Sequence, residues 1–201
     1  RHGGTRRNAL QADLRVDYDD DSGYSFSSLT AFHTDKQQTI LDLNYRDFHD
    51  VPNPLGFLGP PKLPHFNTTL LTQGKQKDIS QELRITSPQD ESFRWTVGFN
   101  YLDAHSPGGS VYGNLIFGPF FTGSIVERDV ETPAVFGAAY YDITDELTLG
   151  VEARYQWDQI SEQTLVGGGG IPLPNAPLLE ETFKSFSPRI TLDYNYAENS
   201  T

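Results

Sequence analysis

The sequence predicts an all-β chain, an antiparallel meander of about seven strands forming part of a transmembrane β-barrel. Three observations lead there. Apolar and polar residues alternate at period two over long stretches, there is almost no 3.6-residue pattern, and short polar turns alternate with connections of roughly 20 to 30 residues.

The predicted strands are 10–18, 24–45, 78–87, 93–103, 132–142, 147–158 and 182–196. The first, Leu10–Tyr18, alternates up to the Asp-rich turn DDDSG (Asp19–Gly23). The second begins at Tyr24 and fits less cleanly, because Phe26 and Phe32 share one parity while Leu29 and Ala31 take the other. We expect it to run past the membrane, with ILDLNYRD (Ile40–Asp47) as its outer part. The third, Asp78–Ser87, leads into the turn PQDES (Pro88–Ser92). The fourth sets Phe93, Trp95, Val97, Phe99 and Tyr101 against Arg94, Thr96, Gly98 and Asn100.

The fifth, Thr132–Asp142, has small or apolar residues on both sides and reads as packed on both faces; ITDE (Ile143–Glu146) turns it into the sixth. There Leu147, Leu149, Val151, Ala153, Tyr155 and Trp157 interleave with Thr148, Gly150, Glu152, Arg154, Gln156 and Asp158. A strand of this kind belongs between hydrocarbon and a wet lumen. The seventh opposes Phe186, Ile190, Leu192, Tyr194 and Tyr196 to Ser187, Arg189, Thr191, Asp193 and Asn195.

The long connections, 46–77, 104–131 and 159–181, hold most of the Pro and Gly. Short turns on one side and long loops on the other is the arrangement of outer-membrane barrels. Tyr18, Tyr24, Phe26, Phe93, Trp95, Tyr140 and Tyr141 flank these short turns, and Tyr194 and Tyr196 precede a fourth candidate turn, AENS (Ala197–Ser200), which is where a girdle of aromatic residues meets the bilayer interface.

Composition narrows the function classes. With 201 residues, 36% of them hydrophobic, and a mean hydropathy of −0.49, the chain has no apolar run near the roughly 18 residues of a helical span. A net charge of −12 with scattered cations leaves no stripe for nucleic acid. The absence of Cys removes thiol catalysis and disulfides. The absence of Met and the polar opening RHGGTRRNAL lead us to expect a processed product or fragment, its targeting segment lying elsewhere.

No constellation asks for a cofactor, a metal or a catalytic role. His2, His33, His49, His65 and His105 stand far apart, DYDDDSG (Asp17–Gly23) misses the calcium-loop spacing, and GGGG (Gly167–Gly170) lacks the Lys-Ser/Thr of a phosphate loop. No G-x-S-x-G appears. The candidates for substrate contact are therefore lumen residues, Arg84, Glu152 and Arg154, and outer-loop residues, Tyr112, Asn114 and Phe117 in SVYGNLIFGPFF. Glu82/Arg84 and Glu152/Arg154 sit at i,i+2 on lumen faces, where salt-bridge ladders between strands are the alternative to ligand contact.

Three runs carry a resemblance. DISQELRITSPQDESFRWTVGFNYLD (Asp78–Asp103), FSPRITLDYNYAENST (Phe186–Thr201) and YSFSSLTAFHTD (Tyr24–Asp35) resemble recurring barrel strands of TonB-dependent outer-membrane receptors. The resemblance implies a barrel of about 22 strands closed by an N-terminal plug, and energised import of scarce cargo, most often a ferric siderophore. Its implied surroundings are outer-membrane lipid of a Gram-negative bacterium, an iron-chelate cargo and the TonB complex, reached through a plug absent from this chain. The alternatives are a passive porin or barrel enzyme, which shares the same physics, and a soluble β-sandwich binding module.

Overall fold

The computed structural model describes residues 3–42, 51–52, 62–63, 68–114, 118–167 and 171–196. The elements are β1 (Gly4–Asp19), β2 (Ser25–Asp42), β3 (Val51–Pro52), β4 (Lys62–Leu63), β5 (Thr68–Thr86) and β6 (Phe93–His105). They continue with β7 (Gly108–Asn114), β8 (Gly118–Asp142), β9 (Leu147–Gly167), β10 (Ile171–Pro172) and β11 (Leu179–Tyr194). Seven long strands form one antiparallel sheet in the order β1-β2-β5-β6-β8-β9-β11, each paired along its length with its neighbours. β7 is slotted between β5 and β8 beyond the end of β6, and β10 caps the far end of β9. Among the described residues only the short pair β3–β4 lies outside this sheet, so no second sheet packs against it as a sandwich requires.

The strands run further from the short turns than the sequence predicts. β5 starts at Thr68 rather than 78, β8 at Gly118 rather than 132, and β9 continues to Gly167. The hydrogen-bond ladder persists there although neither face needs to be apolar, so the period-two signal fades while the strand does not. The outer part predicted for β2 is seen as far as Asp42; Leu43–Asp47 lie outside the described residues.

Register assigns the two faces, with its shifts confined to the ends away from the short turns, at Ile125/Val126 of β8 and along β7. One row of partners reads Tyr18, Phe26, Ile85, Val97, Gly137, Ala153, Pro188, and the next reads Val16, Ser28, Leu83, Phe99, Val135, Tyr155, Phe186. Nearly all of these are apolar, yet they are not covered: Tyr18 and Phe186 are each 62% exposed, while Ala134 is the one buried apolar residue among those described. A protein with this much uncovered apolar surface and almost no core is held by its ladder and needs a non-aqueous neighbour. The apolar positions of β1 run from Leu10 to Tyr18, matching the 9–11 residues with which a tilted strand crosses hydrocarbon.

The irregularity of β2 has a local cause. Ser28 and Thr30 fall on the apolar face, where Thr30 donates to Gln81 Oε1 at 2.6 Å and Gln81 Nε2 donates to Ser28 Oγ at 3.0 Å and the Glu82 carbonyl at 3.2 Å. Paired in this way, three polar side chains can face an apolar phase.

The short turns are closed by their own polar groups. In the first, the Gly23 N–H donates to the Asp20 carbonyl at 2.8 Å and Gly23 takes φ +86°, a left-handed conformation that explains the glycine. In the second, Ser87 is buried; its N–H donates to the Trp95 carbonyl and its Oγ accepts from the Trp95 N–H.

Candidate functional site

The polar face of the sheet is a continuous hydrogen-bonded surface. At the turn end, Arg94 grips Asp142 through Nη1–Oδ2 at 2.5 Å and Nη2–Oδ1 at 2.7 Å, and the Thr148 hydroxyl donates to the same carboxylate at 2.7 Å. This joins β6, β8 and β9 just outside the membrane-spanning rows. The Arg94 guanidinium, with help from Thr148, pulls the Asp142 carboxyl down to about 2.

Further up, Ala138, Glu152 and Arg189 share one row, and Gly98, Phe136 and Arg154 the next. Glu152 accepts from the Tyr140 hydroxyl at 2.6 Å and faces Arg189 at 3.7 Å. Arg154 donates to Gln156 at 3.0 Å, and Gln156 to Asp158 at 2.8 Å. Arg84 reaches Glu82 at 2.7 Å while its guanidinium lies 5.6 Å from the centre of the Phe136 ring.

β8 is apolar on both parities because it lays two rings sideways. Phe136 lies across Gly98, where an added Cβ would stand 2.3 Å from its Cζ. Tyr140 lies across Gly150, where a Cβ would stand 3.0 Å from the ring and 2.3 Å from Thr191 Oγ1. Each ring thus fills the space left by the glycine directly opposite it on the next strand, a device known in sheets as aromatic rescue.

Three of the sequence-predicted residues, Arg84, Glu152 and Arg154, therefore share the polar face in neighbouring rows, around Phe136. The pairing differs from that of the sequence reading: Glu82 and Arg84 do pair along their strand, but Glu152 turns to Tyr140 and Arg189 rather than to Arg154. Tyr112 and Asn114 belong to β7, a strand rather than a loop, opposite Leu70 and Thr68 of β5 and far from that cluster in register. Phe117 lies outside the described residues. Arg189 stands on the polar face as its parity predicts, but its pairing with Glu152 is not in the sequence reading, nor is the place of Phe136 and Tyr140 on this surface; the signal for the two rings lies in the glycines on adjacent strands, and only register reveals which ring meets which glycine.

The aromatic girdle forms on the apolar face, with one exception. Tyr18 packs near Phe26 at 6.3 Å between ring centres, Tyr24 near Trp95 at 6.2 Å, and Phe93 pairs with Tyr141. Tyr140 is the exception, because its parity takes it to the polar face and its hydroxyl to Glu152. A second group, Tyr155, Trp157 and Phe186, marks the far rim, with Tyr155 edge-on to Trp157 at 4.6 Å.

A single antiparallel sheet with an uncovered apolar face, a hydrogen-bonded polar face and aromatic rims defines a section of transmembrane barrel wall. The chain belongs to the family described as TonB dependent receptor-like, beta-barrel, whose profile matches residues 1–201. Members of that family are outer-membrane proteins of Gram-negative bacteria, receptors rather than enzymes. Among solved structures, the ferric yersiniabactin uptake receptor FyuA from Yersinia pestis superposes with a TM-score of 0.74 at 16% identity, covering 98% of this chain and 27% of that one. The ferric citrate transporter FecA in its unliganded form superposes at 0.72 with 12% identity, covering 96% and 26%. The chain thus spans about a quarter of the length of these receptors. No curated protein matches it.

Proposed function

We propose that this chain is part of the wall of an outer-membrane, TonB-dependent transporter that imports a scarce iron complex, most specifically a ferric siderophore. The family match over the whole chain carries this reading, and the iron chelates named for FyuA and FecA support the cargo class. In this reading the apolar face meets lipid and the polar face lines the lumen. Its function is to bind and pass cargo, with energy supplied through a plug domain and TonB outside residues 1–201.

The polar face is suited to anionic chelates in spite of the chain's net charge of −12. Arg84 and Arg154 flank Phe136, so a flat, negatively charged ligand meets two guanidinium groups and a ring in one row. Tyr112 and Asn114, at the opposite end of β5 from the short turns, are in this reading the residues that meet cargo first, together with Phe117.

The test is uptake of labelled ferric chelates by cells in which the complete protein is the sole receptor. Saturable uptake that stops when TonB is deleted, and falls with Arg84→Gln/Arg154→Gln, is the expected result. Uptake that persists without TonB would mean a passive porin.

A further inference from the structure

We propose that the apolar face of β2 and β5 is an interface with a second copy of this chain, the two copies exchanging hydrogen bonds between Ser28 and Gln81 about a two-fold axis along the membrane normal. The proposal rests on the reading above that this face meets lipid.

The first observation is a hydrogen-bonding cluster enclosed by apolar rows. Ser28, Thr30 and Gln81 interrupt the apolar face. Away from the short turns stands the row Ala12, Phe32, Ile79; toward the turns stand Val16 and Leu83, then Tyr18, Phe26 and Ile85. The cluster therefore lies inside the hydrocarbon band, where polar side chains seek partners. All three side chains are half-buried, so part of each still reaches the face.

The second observation is what the cluster leaves unmade. Gln81 directs its amide hydrogens to Ser28 Oγ at 3.0 Å and the Glu82 carbonyl at 3.2 Å, and Thr30 donates to Gln81 Oε1 at 2.6 Å. Ser28 accepts from Gln81, but among the described residues its own hydroxyl proton has no acceptor. Gln81 Oε1 keeps a lone pair. An unused donor and an unused acceptor thus stand side by side where acyl chains offer neither.

Depth selects the occupant. Two copies inserted in the same sense differ only by rotation and translation in the membrane plane, so each side chain meets groups at its own depth. A second copy brings an acceptor for Ser28 and a donor for Gln81 to that depth. A two-fold axis makes the exchange reciprocal, each Ser28 hydroxyl donating to Gln81 Oε1 of the other copy. No hydrogen bond within either copy has to break.

Charge and shape agree with self-association. The rows from Ala12 to Tyr18 carry no charged side chain on this face of β1, β2 and β5, so two copies approach without like-charge repulsion. A recess of about 590 Å³ lined by Val16, Phe26, Ser28, Leu83 and Phe99 adjoins the cluster, and Leu14 and Ile79 project beside it as exposed side chains. One patch thus holds both hollow and projection, as an isologous contact requires.

The experiment uses the complete protein, freed of any other cysteine and carrying Asp145→Cys in a short turn. Donor- and acceptor-labelled copies are folded together into vesicles, and energy transfer is followed as lipid is added at fixed protein. Heat-modifiability on gels reports the barrel independently. We expect transfer well above that of randomly mixed barrels, falling with dilution as a monomer–dimer equilibrium. Ser28→Ala should raise the dissociation constant about tenfold, through loss of two hydrogen bonds between membrane-embedded segments. Ser28→Thr, which keeps a hydroxyl, should retain most of the association, and Val151→Ala on distant β9 should leave it unchanged. Transfer no higher than random mixing, or dilution curves of a higher oligomer, overturns the proposal. Equal dissociation constants for the unsubstituted protein and Ser28→Ala overturn this wall as the interface. Each of these results with a heat-modifiable barrel leaves the lipid-facing reading intact. An unsubstituted protein that forms no heat-modifiable barrel overturns both readings.

Discussion

Arg94 and Asp142, 48 residues apart, meet through two parallel hydrogen bonds of 2.5 and 2.7 Å at the turn end of the polar face. Arg94 also donates to the Glu91 carbonyl at 3.1 Å, so one guanidinium ties the turn before β6 to the end of β8. A bidentate pair of this kind fixes orientation as well as attraction.

Its pH dependence follows from the sign of the shift. The Asp142 carboxyl is lowered from 3.8 to about 2 in the folded protein, so its contribution is fully present above the unfolded value and is lost as pH falls through the folded one. We predict that the folded barrel loses stability between about pH 4 and 2, and that Asp142→Asn flattens this part of the profile. Urea unfolding in vesicles at pH 5, 4, 3 and 2 measures it; equal slopes for both proteins would mean the pair contributes nothing.

Gly98 exists for the Phe136 ring. Gly98→Ala puts a methyl 2.3 Å from Phe136 Cζ and 2.8 Å from the Leu83 carbonyl oxygen, so ring or ladder must move. The expected loss is about 1–3 kcal/mol. Gly74→Ala is the matched comparison, because its Cβ meets nothing within 4 Å; it should be neutral or gain about 0.5–1 kcal/mol. Chemical denaturation of the complete protein in vesicles compares the two.

Legibility in the sequence follows the same division. Leu147–Asp158 and Phe93–Asp103 could be read because lipid on one side and water on the other impose opposite demands on successive residues. Thr68–Lys77 and Gly118–Glu131 read as loops because both their faces are wet, and Gly108–Asn114 because its glycines weaken any strand signal. The site was legible only as far as parity reaches. Arg84, Glu152 and Arg154 were placed on the polar face, but the partner of Glu152 is Arg189, 37 residues on, chosen by the register of β9 with β11. Gly150 illustrates the same limit: its parity says wet lumen, and only register shows that Tyr140 and Thr191 occupy the space beside it.

Val151 and Ala134 separate lipid contact from packing. Val151 is 45% exposed on the apolar face and Ala134 fully buried on the polar one. Val151→Leu and Val151→Phe should both be accepted, because fluid acyl chains adapt, while Val151→Arg costs about 2–4 kcal/mol near mid-membrane. Ala134→Phe has no such freedom and should lose about 1–3 kcal/mol or more. Reversible unfolding in lipid vesicles reads all four variants.

The central claim is that alternate residues of β9 face hydrocarbon and water, and the absence of cysteine from residues 1–201 makes it directly measurable. In the complete protein freed of any other cysteine, single cysteines at 148, 149, 151, 152, 153, 154, 155 and 156 are labelled with an environment-sensitive fluorophore and the protein is folded into vesicles. Lipid-borne quenchers should act on labels at 149, 151, 153 and 155, and aqueous iodide on those at 148, 152, 154 and 156, giving a period of two across the strand. A uniform response to both quenchers, or iodide reaching Val151 as readily as Glu152, would contradict the assignment of the apolar face to lipid.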